Sequence, residues 1–173
     1  ASLAINTEGK VCRKMPFFEE AVETFSTDEL ISKPCTLVET EADEISLIHK
    51  ALITGIRDYF KKMNFKTAVL GLSGGIDSAV ALCLVAEALG SDNITALLLP
   101  SRYSSEHSIA DSVRLAVTLG VRYEIISIEK SYLAIEDALA PIFSGRRIDV
   151  TEENIQARIR ATMLMAFANK FLS

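Results

Sequence analysis

The residues whose types and spacing could do chemistry lie in one run, Ser73-Gly74-Gly75-Ile76-Asp77-Ser78. Adjacent glycines permit positive φ and let a ligand approach the backbone closely. Successive backbone N–H groups at such a turn, backed by the dipole of a following helix, form a cradle suited to phosphate. Two familiar phosphate loops are excluded. A Walker A loop needs a lysine before its final hydroxyl, where Asp77 stands, and Gly71, Gly74 and Gly75 lack the G-x-G-x-x-G spacing of the dinucleotide fingerprint. A carboxylate among phosphate-binding amides repels the ligand unless a cation lies between them, so Asp77 points to a Mg²⁺ bridging it to phosphate oxygens. The plainer alternative is a glycine-rich β–α turn with Asp77 and Ser78 as helix caps.

The elements around the run must hold it in place. Residues 67–72, Thr-Ala-Val-Leu-Gly-Leu, are apolar and β-branched with no polar face, which predicts a strand buried on both sides. From Ser78 to Leu89 only Glu87 is charged, which predicts a helix apolar nearly all round, central in the fold, closed by Gly90 and packing Cys83. Strands are expected at Ile94–Leu99 and Tyr123–Ile128. Helices are expected over Glu106–Leu119, capped by Ser105 and ended by Gly120, over Lys130–Phe143, and over Thr151–Phe171 with Ile155, Ile159, Met163, Ala166 and Phe167 buried. An earlier helix, Asp43–Met63, is expected to turn Ile45, Ile48, Leu52, Ile56, Tyr59, Phe60 and Met63 inward. Alternating strands and helices imply right-handed crossovers and an α/β fold, a doubly wound parallel sheet with helices on both faces. Ligands of such sheets bind beyond the carboxyl ends of the strands, so the run after Leu72 and Pro100–Ser105 should face one crevice. Three strands make a thin sheet, and the chain is expected to be truncated at both ends.

The 173 residues, 49% hydrophobic and 24% charged, describe a folded domain, and no apolar stretch approaches the ~18 residues that span a bilayer. A net charge of −5 argues against general nucleic-acid binding. Cys12, Cys35 and Cys83 form no C-x-x-C pair, and a reduced, cytoplasmic setting is expected. At the start, a strand before Asn6, a turn over Thr7–Lys10 and a returning strand at Val11–Lys14 predict a hairpin, followed over residues 16–42 by a surface linker.

The hexapeptide 73–78 closely resembles the pyrophosphate-binding loop of the ATP pyrophosphatases, which split ATP into AMP and pyrophosphate to activate a carbonyl or carboxylate. Two further stretches, Leu99-Pro100-Ser101-Arg102-Tyr103-Ser104-Ser105 and Asn154-Ile155-Gln156-Ala157-Arg158-Ile159-Arg160, resemble segments of NAD synthetases in order and approximate spacing. Residues 2–11 are similar to the last hairpin of nitrilase-like glutaminase domains. The resemblance is therefore to the glutamine-dependent NAD synthetases, with an adenine nucleotide alpha hydrolase-like, Rossmann-like fold. It implies that residues 1–38 are the end of a glutaminase domain plus linker, and that 39–173 are the N-terminal part of the synthetase domain.

The resemblance further implies the ATP-dependent amidation of nicotinate adenine dinucleotide (deamido-NAD) to NAD through an adenylated carboxylate, with ammonia drawn from glutamine. It places ATP on Gly71, Leu72, Ser73, Gly74, Gly75, Ile76, Asp77 and Ser78, with Ser73 as the active-site hydroxyl, Mg²⁺ on Asp77 and the dinucleotide on Arg158. Arg160 is a further candidate contact, and Arg102 and Ser104 are placed near adenosine. A homodimer is implied, and neither nucleic acid nor a membrane is expected as partner. Another ATP pyrophosphatase, GMP synthetase-like or tRNA-thiolating, and a nucleotide-binding module without turnover are the competing readings.

Overall fold

β4 (Ile94–Leu98) is buried along its whole length in the computed structural model of the chain, which describes residues 2–28 and 43–171. Its side chains alternate between two apolar layers. Ile94, Ala96 and Leu98 join one cluster with Leu72, Leu82, Ala116 and Val121, whereas Leu97 joins a second with Leu99, Ile128, Tyr132 and Ile159. That alternation is the period-2 geometry of a strand covered on both faces.

The chain divides into two units, one up to Gly55 and one from Ile56 onward. In the second unit β3 (Ala68–Gly71), β4 and β5 (Arg122–Ile125) form a parallel three-stranded sheet in that order, with Ala68 opposite Ile94 and Thr95 opposite Arg122. α2 (Ile76–Leu89) and α3 (Glu106–Leu119) cover one face; α4 (Glu129–Phe143) and α5 (Val150–Phe171) cover the other. This is the doubly wound parallel α/β sheet with helices on both faces expected from the sequence. α3 starts where Ser105 accepts the amide of Ser108 at 3.1 Å and ends at Gly120 in the left-handed conformation, φ 68°. The third strand is shorter than expected: it stops at Ile125, and Ile128 instead starts α4 and is fully buried.

In the first unit β1 (Leu3–Ile5) pairs antiparallel with β2 (Val11–Lys14). Gly9, at φ 79°, closes the turn, and the Asn6 side chain accepts the amides of Glu8 and Lys10 at 3.0 and 2.8 Å. α1 (Glu44–Met63) runs across the division. The expected boundary at 38/39, most of the expected linker and Cys35 lie outside the described residues.

Four expectations are corrected. On α1, Ile45, Ile48, Leu52, Tyr59 and Met63 are exposed and Ile53 is buried, because apolar residues occur on more than one side of this helix and period alone does not choose the covered one. α2 is not central: Leu82 packs against the sheet in the first apolar layer and Ala88 is buried, while Ile76, Val80 and Cys83 are exposed. On α5, Ile159 is buried and Ile155, Met163 and Phe167 are partly buried, but Ala166 is exposed. Cys12 is disulfide-bonded rather than a thiol, whereas Cys83 is free.

Candidate functional site

The turn between β3 and α2 is shaped by two serine hydroxyls. The Ser78 hydroxyl donates to the Gly75 carbonyl at 2.9 Å and accepts the Ser73 amide at 3.2 Å, and the Ser73 hydroxyl accepts the Gly75 amide at 3.3 Å. The two hydroxyl oxygens stand 3.1 Å apart. Gly75 is the N-terminal cap of α2 and supplies no side chain to it. The first amides of α2 therefore have neither an intrahelical acceptor nor a capping side chain, and they face solvent with the positive end of the helix behind them. Asp77 lies exposed in this first turn. Ser78 is thus not the cap that the plainer reading required; its hydroxyl closes the turn from within.

Gly74 takes φ +81°, and its position is crowded as well as left-handed: a Cβ there would stand 2.5 Å from the carbonyl oxygen of Ser108. The turn is seated on the first turn of α3.

A cavity of about 300 Å³ opens at the carboxyl ends of β3 and β4. Its lining comes from four parts of the chain: Gly71, Leu72 and Ser73; Leu97–Pro100; Ser104, Ser108, Ile109 and Ser112 of the α3 region; and Arg160 and Leu164 of α5. The crevice expected between the two strand-end loops is present. Its volume falls at the lower end of the range for small-molecule sites. The lining is mostly apolar with a few hydroxyls, and one of these, Ser112 Oγ, is buried without any hydrogen-bond partner. Buried hydroxyls are nearly always paired, so this one marks a place where a ligand atom or water belongs.

The loop after β4 is fixed at both ends. The Ser101 hydroxyl donates to Gln156 Oε1 at 2.9 Å and accepts the Tyr103 amide at 3.3 Å. Arg160 Nε donates to the Leu99 carbonyl at 3.0 Å and its Nη2 reaches Gln156 Oε1 at 3.4 Å. Arg102 is held by Glu129, which takes its Nε and Nη2 at 2.6 Å and its amide at 3.0 Å. The Arg102 side-chain hydrogen bond holds the Glu129 carboxyl below the usual carboxylate range. The Arg102 guanidinium also lies 5.7 Å from the ring centre of Tyr132, which packs edge-on to Tyr103. Burial, with Glu136 nearby, pushes the Tyr132 phenol up to about 12.

A second cavity of about 390 Å³ adjoins the first, lined by Tyr103, Ile148, Asp149, Glu152, Glu153, Gln156 and Arg160. Arg160 is common to both.

Of the residues singled out in the sequence, Gly71, Leu72, Ser73 and Ser104 line the first cavity, and Gly74, Gly75, Ile76, Asp77 and Ser78 form the adjoining turn. Arg158 is exposed and lines neither cavity. Gln156, Ser108 and Ser112 were not picked out. Small polar residues carry no local signal, and only the return of α5 and α3 to the strand ends gives them meaning. No cluster of three or more metal-binding side chains occurs among the described residues.

Fold and cavity together place the molecule in the adenine nucleotide alpha hydrolase-like class of α/β domains. Within it the chain belongs to the NAD synthase family, whose profile matches residues 48–173. It is 42% identical over 175 residues to the glutamine-dependent NAD(+) synthetase of Rhodobacter capsulatus, covering 99% of this chain and 32% of the relative. The solved glutamine-dependent NAD+ synthetase of Acinetobacter baumannii, in complex with ADP, superimposes with a TM-score of 0.86 at 33% identity, over 94% of this chain and 31% of that one. The NMN synthetase of Francisella tularensis gives 0.66 at 32% identity, over 76% and 52%. The chain spans about a third of the length of the curated relatives it matches.

Proposed function

We propose that this chain carries the ATP-binding part of an enzyme that amidates deamido-NAD to NAD, releasing AMP and pyrophosphate. The observation that supports it best is that Ser73, at the entrance to the amide turn, also lines the cavity at the ends of β3 and β4. A nucleoside in the cavity can therefore rest its phosphates on the turn. A bound ADP in the Acinetobacter baumannii relative accords with this.

In the proposed reaction an oxygen of the nicotinate carboxylate attacks the α-phosphorus of ATP. The new bond is C–O–P, the bond to the β-phosphate breaks, and pyrophosphate leaves. Ammonia then adds at the activated carbonyl and AMP departs. The free amides at the start of α2, with the hydroxyls of Ser73 and Ser78, hold the departing pyrophosphate. Ser73 binds and is not a nucleophile. Arg158, two residues from Arg160 on α5, is the proposed contact to the dinucleotide. Such chemistry is mainly positioning and electrostatics.

Asp77 is the residue that would hold Mg²⁺. It is an exposed carboxylate beside free amides, and Mg²⁺ is commonly bound by one or two carboxylates plus substrate phosphates rather than by a protein cage. The ion supplies charge neutralisation on the phosphates. Glutamine as nitrogen source, with the β1–β2 hairpin as the end of a glutaminase domain, and assembly as a homodimer belong to the same proposal.

The test is an assay of the full-length chain with ATP, Mg²⁺, deamido-NAD and ammonia, following AMP and NAD together, then glutamine in place of ammonia. Equal amounts of AMP and NAD are expected. Because one structural relative is an NMN synthetase, nicotinate mononucleotide is run in parallel. Turnover of that mononucleotide alone, or AMP release without amidation, refutes the dinucleotide reading.

A further inference from the structure

The first cavity contains a single charged lining residue, Arg160. Its guanidinium is half-buried and, among the described residues, makes no ion pair. Among the described residues only its Nε and Nη2 have protein acceptors, the Leu99 carbonyl and the Gln156 amide oxygen, and both acceptors are neutral. A guanidinium drawn from water without a counter-charge is unfavourable, and the protein retains such a group where a ligand brings the anion. The two hydrogen bonds also fix the plane of the guanidinium, so that its remaining N–H groups are pre-oriented.

The sidedness of the site says where that anion lies. The second cavity, which shares Arg160 with the first, presents Asp149, Glu152 and Glu153. The Asp149 carboxyl is held below the usual range by hydrogen bonds from Thr151, so it is charged at neutral pH. Those carboxylates repel an anion, whereas the first cavity has no acidic lining. The amide turn, which meets the first cavity at Ser73, already provides for one anionic group.

Resting on the proposed function, we infer that Arg160 is a second anion site, distinct from the turn, which holds the α-phosphoryl group that stays with the nucleoside after pyrophosphate leaves. The turn and Arg160 divide the triphosphate between them: the β- and γ-phosphates lie on the amides of α2, and the α-phosphate lies against the guanidinium. The bond that breaks then lies between two separately held anions, and charge developing on the α-phosphoryl oxygens is met by a donor that costs no reorganisation. The residue is on the same helix as Arg158, but it touches the nucleotide rather than the dinucleotide.

The test compares wild type, Arg160→Gln and Arg160→Lys in the full-length chain, with calorimetric binding of adenosine, AMP and inorganic pyrophosphate measured separately. Arg160→Gln is expected to weaken AMP by about 10- to 100-fold, the range of one charge-assisted hydrogen-bonded contact. Adenosine and pyrophosphate should bind as in wild type, and Arg160→Lys should recover part of the AMP affinity. Unchanged AMP binding in Arg160→Gln overturns the inference. So does an equal loss for adenosine and AMP, because Arg160 would then only brace the cavity wall through Leu99 and Gln156. Phosphate-selective loss in a protein that makes no NAD would sink the dinucleotide reaction and leave the anion site standing.

Discussion

Gly74 and Ser108 approach so closely that a methyl group on Gly74 would stand 2.5 Å from the Ser108 carbonyl oxygen and 2.7 Å from its Cα and Cβ. Real contacts of that length do not persist, and the left-handed backbone at Gly74 adds strain of its own. Gly74→Ala is therefore expected to destabilise the second unit by roughly 2 kcal/mol or more, lowering the melting temperature by several degrees. Nucleotide binding should fall with it, because the turn can relieve the clash only by lifting away from α3. A Gly74→Ala protein with wild-type melting and ATP affinity would show that the turn is not seated as described.

Asp77→Asn keeps the size of the side chain and removes its charge. With saturating Mg²⁺ the full-length enzyme is expected to lose activity by about 100-fold or more, with a smaller change in binding of metal-free ATP. Steady-state rates across a Mg²⁺ titration decide it. Near-normal turnover at high Mg²⁺ would remove Asp77 from the metal.

Ser112→Ala separates folding from binding. The hydroxyl has no partner in the ligand-free cavity, so its loss should leave the melting temperature unchanged or slightly raised. If the cavity receives the nucleoside, ATP should bind about 5- to 10-fold more weakly, the worth of about one hydrogen bond. Calorimetry on the variant measures both quantities, and unchanged affinity would leave the hydroxyl to a buried water.

The Arg102–Glu129 clamp has a defined response to acid. Its carboxyl is held below the ordinary glutamate value by the Arg102 side chain first and the Arg102 amide second. A carboxylate whose folded pKa is depressed contributes stability above its unfolded pKa, about 4.3, and that contribution disappears as pH falls through the lower folded value. The loop after β4 should thus stay clamped at neutral pH and release only as the pH falls below the ordinary glutamate range. The Glu129 carboxyl resonance in an NMR titration reports this directly. In Arg102→Ala it should return to the ordinary range; an unchanged midpoint would show that another group sets it.

The parts of the molecule that were legible in the sequence are those where local chemistry decides. β4 is continuously apolar because both its faces are covered, Ser105 and Gly120 bracket α3, and the glycine-rich turn could be read as an anion cradle from its residues alone. Burial was legible only where one side of a helix is apolar. On α1, where apolar residues lie on more than one side, tertiary packing chose Ile53 over Ile48 and Leu52. On α2, where nearly every residue is apolar, nothing in the pattern told Leu82 from Val80 and Cys83. The site showed the same limit. Asp77 and Ser73 stand in a motif, but the bonds that tie Gln156 to Ser101 and Arg160 to Leu99 exist only across the fold.

The bond from Arg160 to the Leu99 carbonyl joins residues 61 positions apart, and that from Ser101 to Gln156 joins residues 55 apart. The strands that carry the cavity are parallel, so none is joined to its neighbour by a short hairpin. Such pairings form slowly, since long loops must close before the contacts that reward closure exist. The cavity is consequently expected to be completed late in the folding of the second unit. A nucleotide recognises only the finished wall, so it should slow unfolding more than it speeds folding, and appearance of ATP affinity during refolding should trail the recovery of helical signal.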